Sequence, residues 1–190
     1  MMQHEDNVLI DQVLKGQSQA FGRLIEKYES FVYTIVLRVL HNRNDAEDAS
    51  MEVFVKAYQG LGRFNRKADF STWLYRIAYN TAVSEFRKRS KRKMEISDDA
   101  LLMKISAIEG NDVVEETNSD EQRLVQALKS LSPQENTLLI LYYTNNMSVD
   151  QIAAVVGISA SNVKVRLFRT RKKLEELMRK AELTEQSNYI

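Results

Sequence analysis

The chain has 190 residues, 44% of them hydrophobic and 28% charged, with a formal net charge of +1 and no cysteine. Such a chain can bury one core or two small ones, and the missing thiols exclude disulfides, thiolate catalysis and cysteine-ligated zinc. The near-neutral total conceals a segregation of sign: Arg87, Lys88, Arg89, Lys91, Arg92 and Lys93 form a basic block, Glu109 through Glu121 is mostly acidic, and Lys164 to Lys180 is basic again.

The first residues, MMQHEDNVLIDQ, contain acids and no long apolar run, which argues against a signal peptide. No later stretch is apolar for long enough to span a bilayer, so a cytoplasmic protein without membrane insertion is expected. His4 and His41 stand far apart and outside any ligand-spaced motif, so no metal and no cofactor is expected.

From Asn7 to Leu40 the apolar positions repeat at threes and fours, predicting two helices broken around Lys15–Gly16. Ser18 is the expected N-cap of the second. Its run from Phe31 to Leu40 is apolar on most faces and therefore belongs at the centre of a bundle. After a turn at His41–Asn44, Asn44 and Glu47 read as a capping pair for a third helix, Asp45 to about Gly60. Asp45, Asp48 and Glu52 share one face of it, while Ala49, Val53, Phe54 and Ala57 face inward. A two-metal nuclease would need further acids or histidines converging on these carboxylates, and the chain offers no such set; a solvated face or a dock for a basic partner fits better.

GLGRFNRKADF, Gly60 to Phe70, reads as a loop, with Asp69 or Ser71 capping the helix that follows. That stretch, Asp69 to Lys93, combines an amphipathic helix with interleaved aromatics and a basic end. Phe70, Trp73, Leu74, Ile77, Ala78 and Thr81 form one stripe, and Arg76, Asn80, Val83 and Arg87 fall on another face. Tyr75, Tyr79 and Phe86 place flat rings among donors and positive charge, a combination suited to stacking bases and neutralising phosphates. An ordinary core helix with a solvated basic tail is the competing reading.

Met94 to Asp120 is acidic with only short apolar pieces, and reads as a linker with a helical turn at Leu101–Ile105. Helix resumes at about Asp120 with Leu124, Leu128 and Leu131. Ser132–Pro133–Gln134–Glu135 is a start signal for a helix to about Tyr143: an N-cap serine, proline at the first helical position and a glutamate placed for a capping box. Ser148–Val149–Asp150–Gln151 is a second such box, opening a short helix that ends near Gly157, and Ser159 caps a last helix to about Lys180.

MSVDQIAAVVGISASNVKVRLFRTRKKL, Met147 to Leu174, has the parts of a helix-turn-helix. Ile152, Ala153 and Val156 pack the first helix, Gly157 supplies the turn, and Ile158, Val163 and Leu167 anchor the second. Ser161, Asn162, Lys164, Val165, Phe168 and Arg169 are left to point outward toward a major groove, and Arg166, Arg171, Lys172 and Lys173 add charge for phosphates. A purely structural hairpin is the alternative, and the basic outer face disfavours it.

DAEDASMEVFVKAY (Asp45 to Tyr58) followed by FSTWLYRIAYNTAVSEFRKR (Phe70 to Arg89) resembles region two of the extracytoplasmic-function sigma factors of bacterial RNA polymerase, and SVDQIAAVVGISASNVKVRLFRTRKKL resembles their region four. Both motifs occur in the family's order, separated by a polar linker. The resemblance implies an all-α protein of two small helical domains: region two at 5–93, an acidic flexible linker at 94–119, and region four at 120–183. It further implies that Asp45, Asp48 and Glu52 dock on the clamp helices of core RNA polymerase, with the flap as a second contact. Phe64, Asn65, Arg66 and Lys67 would hold a flipped base of the non-template strand at the minus-ten element, and Arg76, Asn80, Arg87 and Lys88 would follow the adjacent single strand. Ser161, Asn162, Lys164, Val165, Arg166, Phe168, Arg169 and Arg171 would meet duplex promoter DNA at the minus-thirty-five element. An anti-sigma factor is implied as a further partner, and no catalysis.

Two departures from the family pattern stand out. Met51 replaces the glutamine that often precedes Glu-Val-Phe, and Asn162 and Val165 stand where the family usually has threonine and serine. Valine offers no hydrogen bond and would favour an apolar contact such as a thymine methyl. Only LTEQSNYI follows the region-four motif's helix, so no extra sensing domain is expected. A stand-alone helix-turn-helix regulator of duplex DNA is the rival function; it accounts for the C-terminal half alone. The linker's acidity suits either a nucleic-acid mimic in a basic polymerase channel or a solvated tether.

Overall fold

A computed structural model of the protein describes residues 2–96 and 119–187. Most of the expected linker, including the turn at Leu101–Ile105, lies outside the described residues. These form eight α-helices and no strand, and the chain divides into two compact units. The first carries α1 (Met2–Leu14), α2 (Gln19–Leu40), α3 (Arg43–Gly60) and α4 (Phe70–Ile96). The second carries α5 (Ser119–Lys129), α6 (Pro133–Leu139) and α8 (Ala160–Ser187), with α7 (Val149–Val156) leading into α8.

The first unit is built around α2, which packs against α1, α3 and α4. Leu24, Val32, Ile35, Val36 and Val39 are fully buried, each contributing roughly 1.5–3 kcal/mol of burial free energy. With partners on three sides, α2 needs apolar residues on most faces, as its sequence has. The chain breaks after α1 at Gly16, whose φ of +93° suits glycine.

Several local starts differ from expectation. Ser18 precedes α2, but its hydroxyl makes no capping bond, because its backbone is already helical (φ −58°, ψ −28°) and its oxygen is not turned back on the first N–H groups. His41 takes the left-handed turn that ends α2, so the chain re-enters helix early. Asn42 then caps α3 in place of Asn44, its Oδ1 accepting the Asp45 N–H at 3.0 Å. At α4 the Asp69 carbonyl accepts the Trp73 N–H, so Asp69 rather than Ser71 stands at the start.

A polar cluster that no spacing rule indicates joins α1 to α2. Asp6, 3% exposed, accepts the Tyr28 hydroxyl at 2.6 Å and the Lys27 ammonium at 2.6 Å, and Lys27 also reaches Glu5 at 3.4 Å. Burial and the Asp6 carboxylate push the Tyr28 phenol far above its usual range. The Tyr28 ring meets Phe70 and Tyr75 edge-on, so one buried carboxylate ties α1 into the aromatic core beneath α4.

In the second unit all three expected caps form. Ser132 and Glu135 exchange both bonds of a capping box (2.8 and 3.3 Å), Ser148 and Gln151 do the same (2.9 and 3.2 Å), and the Ser159 hydroxyl accepts the Asn162 N–H at 3.3 Å. Helix α6 continues as a π-helical turn, Ile140–Thr144, close to the expected end at Tyr143. In α5, Leu124 is exposed while Ala127 and Leu131 are buried, and the helix packs against α8.

Glu135 also pairs with Lys173 on α8 at 2.8 Å. Burial pushes its carboxyl up, but the bonds from Lys173 and Ser132 outweigh that and hold it below its ordinary value. A depressed folded-state value adds stability above the unfolded glutamate range and loses it as pH falls through the folded value. Glu135→Gln is therefore expected to flatten the acid limb of the second unit's stability below about pH 4.3, measured by thermal melting between pH 3 and 6; an unchanged limb would contradict the assignment.

Candidate nucleic-acid interface

Helix α4 carries the first surface. Its stripe of Phe70, Leu74, Ala78 and Thr81 is buried, with Trp73 and Ile77 half-buried, while Arg76, Asn80, Arg87 and Lys88 are exposed. Tyr75 and Tyr79, expected among the binding rings, are instead 6% and 9% exposed. Both α2 and α3 cover α4, so its buried arc is wider than one stripe and takes in these rings; Tyr75 packs on Phe31 at 4.6 Å between centroids. Phe86 remains exposed at 39%.

An open groove of about 450 Å³ runs along α4 between Asn80, Trp73 and Ser84 and, opposite, Lys56, Gly60 and Arg63. Gly60 permits this geometry, since a Cβ there would sit 3.3 Å from the Trp73 indole. The Lys56 ammonium donates to the Thr81 hydroxyl at 3.2 Å and pairs with Glu52 at 2.7 Å. Lys56 and Arg63 were not among the residues expected from sequence. Lys56 lies one helical turn beyond Glu52 on α3 and Arg63 in the turn that follows that helix, and the packing of α3 on α4 brings both to the groove beside Asn80.

The loop before α4 contains a 3₁₀ turn, Leu61–Arg63. Phe64 wedges its ring against Phe70 and Trp73 at 5.8 and 5.1 Å. Asn65 accepts the Lys67 N–H at 3.1 Å, Arg66 is left-handed (φ +57°), and Lys67 is exposed. The Arg66 guanidinium pairs with Asp11 of α1.

The three acids of α3 have different surroundings. Asp45 pairs with Arg89 of α4 and Glu52 with Lys56, whereas Asp48 is exposed. Beside them the exposed Met51 (62%), Val55 (53%) and Tyr58 (47%) follow at spacings of four and three and share one apolar strip edged by Asp48 and Glu52. The signal was present in sequence: once Ala49, Val53, Phe54 and Ala57 face inward, positions 51, 55 and 58 must face out.

The second surface is α8. Val163, Leu167 and Thr170 are buried, and Ser161, Asn162, Lys164, Val165, Arg166, Phe168, Arg169 and Arg171 are all exposed. At 3.6 residues per turn these eight cover a continuous arc of roughly 220°. Phe168 is 67% exposed and Val165 47%. Arg166 donates to Asn162 Oδ1 at 3.1 Å, and the Arg171 guanidinium lies over Tyr142 and Tyr143 at 5.1 and 5.4 Å, which draws it to the edge of the arc. Gly157 makes the turn into α8 at φ +73°. In α7, Ile152 is buried as expected, Val155 is buried beside it, and Ala153 and Val156 are only half-buried.

Among the described residues no group of three or more His, Cys, Asp or Glu is arranged to hold a metal ion, and no helix is long and apolar enough to cross a membrane.

Residues 24–92 match the family model for sigma-70 region 2, and residues 121–174 match that for sigma-70 region 4. The chain is 30% identical to the RNA polymerase sigma-H factor of Pseudomonas aeruginosa over 194 residues, covering 95% of this chain and all of that one. It is also 30% identical to the ECF RNA polymerase sigma factor SigW of Bacillus subtilis, covering 90% of this chain and 95% of that protein. The fold is shared with CnrH, solved in complex with the cytosolic domain of CnrY (TM-score 0.64, 24% identity, covering 92% of this chain and 97% of that one). It is shared too with the sigma factor RpoE of Bartonella quintana, solved with the anti-sigma factor NepR (TM-score 0.67, 23% identity, 84% and 96%). Because the matches span both units, a regulator built on the helix-turn-helix alone is not favoured, and the chain belongs to the extracytoplasmic-function group of the sigma-70 family, the factors that direct RNA polymerase to promoters to start transcription.

Proposed function

We propose a division of labour between the two units. Residues 5–93 dock on the clamp helices of core polymerase and hold the minus-ten element, residues 120–183 read the minus-thirty-five element and meet the flap, and 94–119 connects them. On α3 the dock is Asp48 and Glu52 together with the apolar strip Met51, Val55 and Tyr58, with Asp45 steadying it through Arg89. The minus-ten surface is the loop Phe64, Asn65 and Lys67 with Arg76, Asn80, Arg87 and Lys88, to which the groove adds Lys56 and Arg63. On α8, Ser161, Asn162, Lys164, Val165, Phe168 and Arg169 face base edges, and Arg166 and Arg171 supply charge to flanking phosphates.

The observation that carries this reading is the coexistence of an acid-edged apolar strip on α3 with two basic, exposed helix faces. A duplex-binding regulator has no use for the first. The protein lowers the cost of melting by capturing extruded bases, which offsets a few kcal/mol of unstacking per step without ATP; it is an initiation factor acting by binding energy, in the cytoplasm. An anti-sigma factor competing for the α3 strip is the inferred brake.

Purified protein mixed with core polymerase and a randomised promoter library should yield specific run-off transcripts. Absence of polymerase binding, or tight duplex binding without polymerase, would refute the proposal. On the promoter so selected, Lys164→Ala and Arg169→Ala are each expected to cost about 1–3 kcal/mol in upstream-element binding, unequally across sequences where a base edge is touched. A uniform loss with a shallower salt dependence would instead mark a phosphate contact.

A further inference from the structure

Helix α1 lies against the 3₁₀ turn Leu61–Arg63, and its Asp11 pairs with Arg66 in the loop beyond that turn. The loop is otherwise pinned near its ends, by the Phe64 ring against Phe70 and Trp73 and by the start of α4 at Asp69. Between these pins Arg66 holds a left-handed backbone, φ +57°, which a non-glycine residue adopts at a cost. Asn65 closes a tight turn onto the Lys67 N–H at 3.1 Å on either side of it. A carboxylate beside a phosphate-binding loop works against DNA, so its presence needs a reason; here it engages the residue of this loop whose backbone is left-handed. The Arg66 hydrogen bond also holds the Asp11 carboxyl below its usual value.

We propose that Asp11 and Arg66 form a positioning latch through which α1 holds the loop 64–67 in the shape that receives an extruded base, and that Arg66 is a positioning residue rather than a phosphate contact. This rests on the reading of that loop as the minus-ten surface. A loop that populates its competent shape less often binds more weakly in proportion, so loss of either partner has the same effect.

The test uses full-length variants in complex with core polymerase and, as probe, a fluorescent single-stranded oligonucleotide carrying the non-template minus-ten segment of the promoter selected above. Asp11→Ala, Arg66→Ala and the double variant are each expected to weaken binding by about threefold to tenfold, without additivity and with the salt dependence unchanged. Asp11→Asn still offers an acceptor to the guanidinium and should lose less than Asp11→Ala, and both should keep the wild-type melting midpoint, since an exposed ion pair adds little to stability. Unchanged or tighter binding by Asp11→Ala, additive losses, or a salt slope reduced by about one in Arg66→Ala would overturn the latch. Asn80→Ala separates the two levels: if it loses affinity while Asp11→Ala does not, only the latch falls, and if it loses none, the reading of the surface itself falls.

Discussion

Asp48→Arg is expected to weaken binding to core polymerase at least about tenfold, or about 1.4 kcal/mol, while leaving duplex binding through α8 unchanged. The choice follows from the surroundings of the three acids. Reversing Asp45 would expel Arg89 and disturb α4, and reversing Glu52 would release Lys56 into the groove beside Asn80. Asp48 is exposed, so its reversal changes the dock with little effect on the fold. A like charge placed against a basic partner costs several kcal/mol when it is desolvated and less at a wet rim, which sets tenfold as the lower bound. Anisotropy of the labelled protein titrated with core polymerase at two ionic strengths measures it. Equal loss of polymerase and duplex binding would mean misfolding, and no loss would remove Asp48 from the dock. Val55→Ser should weaken the same complex by an amount that varies little with ionic strength, because it removes apolar contact and no charge.

Asp6→Ala is expected to destabilise the first unit by about 3 kcal/mol, toward the low end for breaking a buried pair because Lys27 keeps some contact with water. The change leaves the Tyr28 hydroxyl without its acceptor in an aromatic core and frees α1 from α2. Asp6→Asn still offers an acceptor to Tyr28 and should cost less, and Tyr28→Phe, which removes only the donor, about 1 kcal/mol. Trp73 is the single tryptophan of the chain and lies in the first unit, so its fluorescence during urea denaturation follows that unit separately from the second. A midpoint for Asp6→Ala equal to that of the wild type would show that the cluster holds nothing together.

The parts of this protein legible from sequence share one property: their physics is local. Pro133 after Ser132, with Glu135 three residues on, forms its capping box because the bonds close within a single turn, and Gly157 makes its turn because only nearby backbone decides it. Periodicity likewise separated the inward Ala49, Val53, Phe54 and Ala57 from the acids opposite. Local rules failed where two possibilities were nearly equal. Asn42 and Asn44 can both cap a helix, and the left-handed turn at His41 chose between them.

Placement within the two surfaces required the fold. By itself the sequence determined that the chain is all-helical, that it carries an acid-faced helix and two basic ones, and that the eight residues of α8 point outward, since each of these depends on spacing along one helix. Only the tertiary structure decided that Tyr75 and Tyr79 are core, that Lys56 and Arg63 face Asn80, that Asp45 and Glu52 are already paired while Asp48 is exposed, and that Arg66 answers to Asp11 across 55 positions of chain. A helix's period states which residues share a face but not how many neighbours cover it, and the charge a side chain meets across a packed interface comes from the element that packs there.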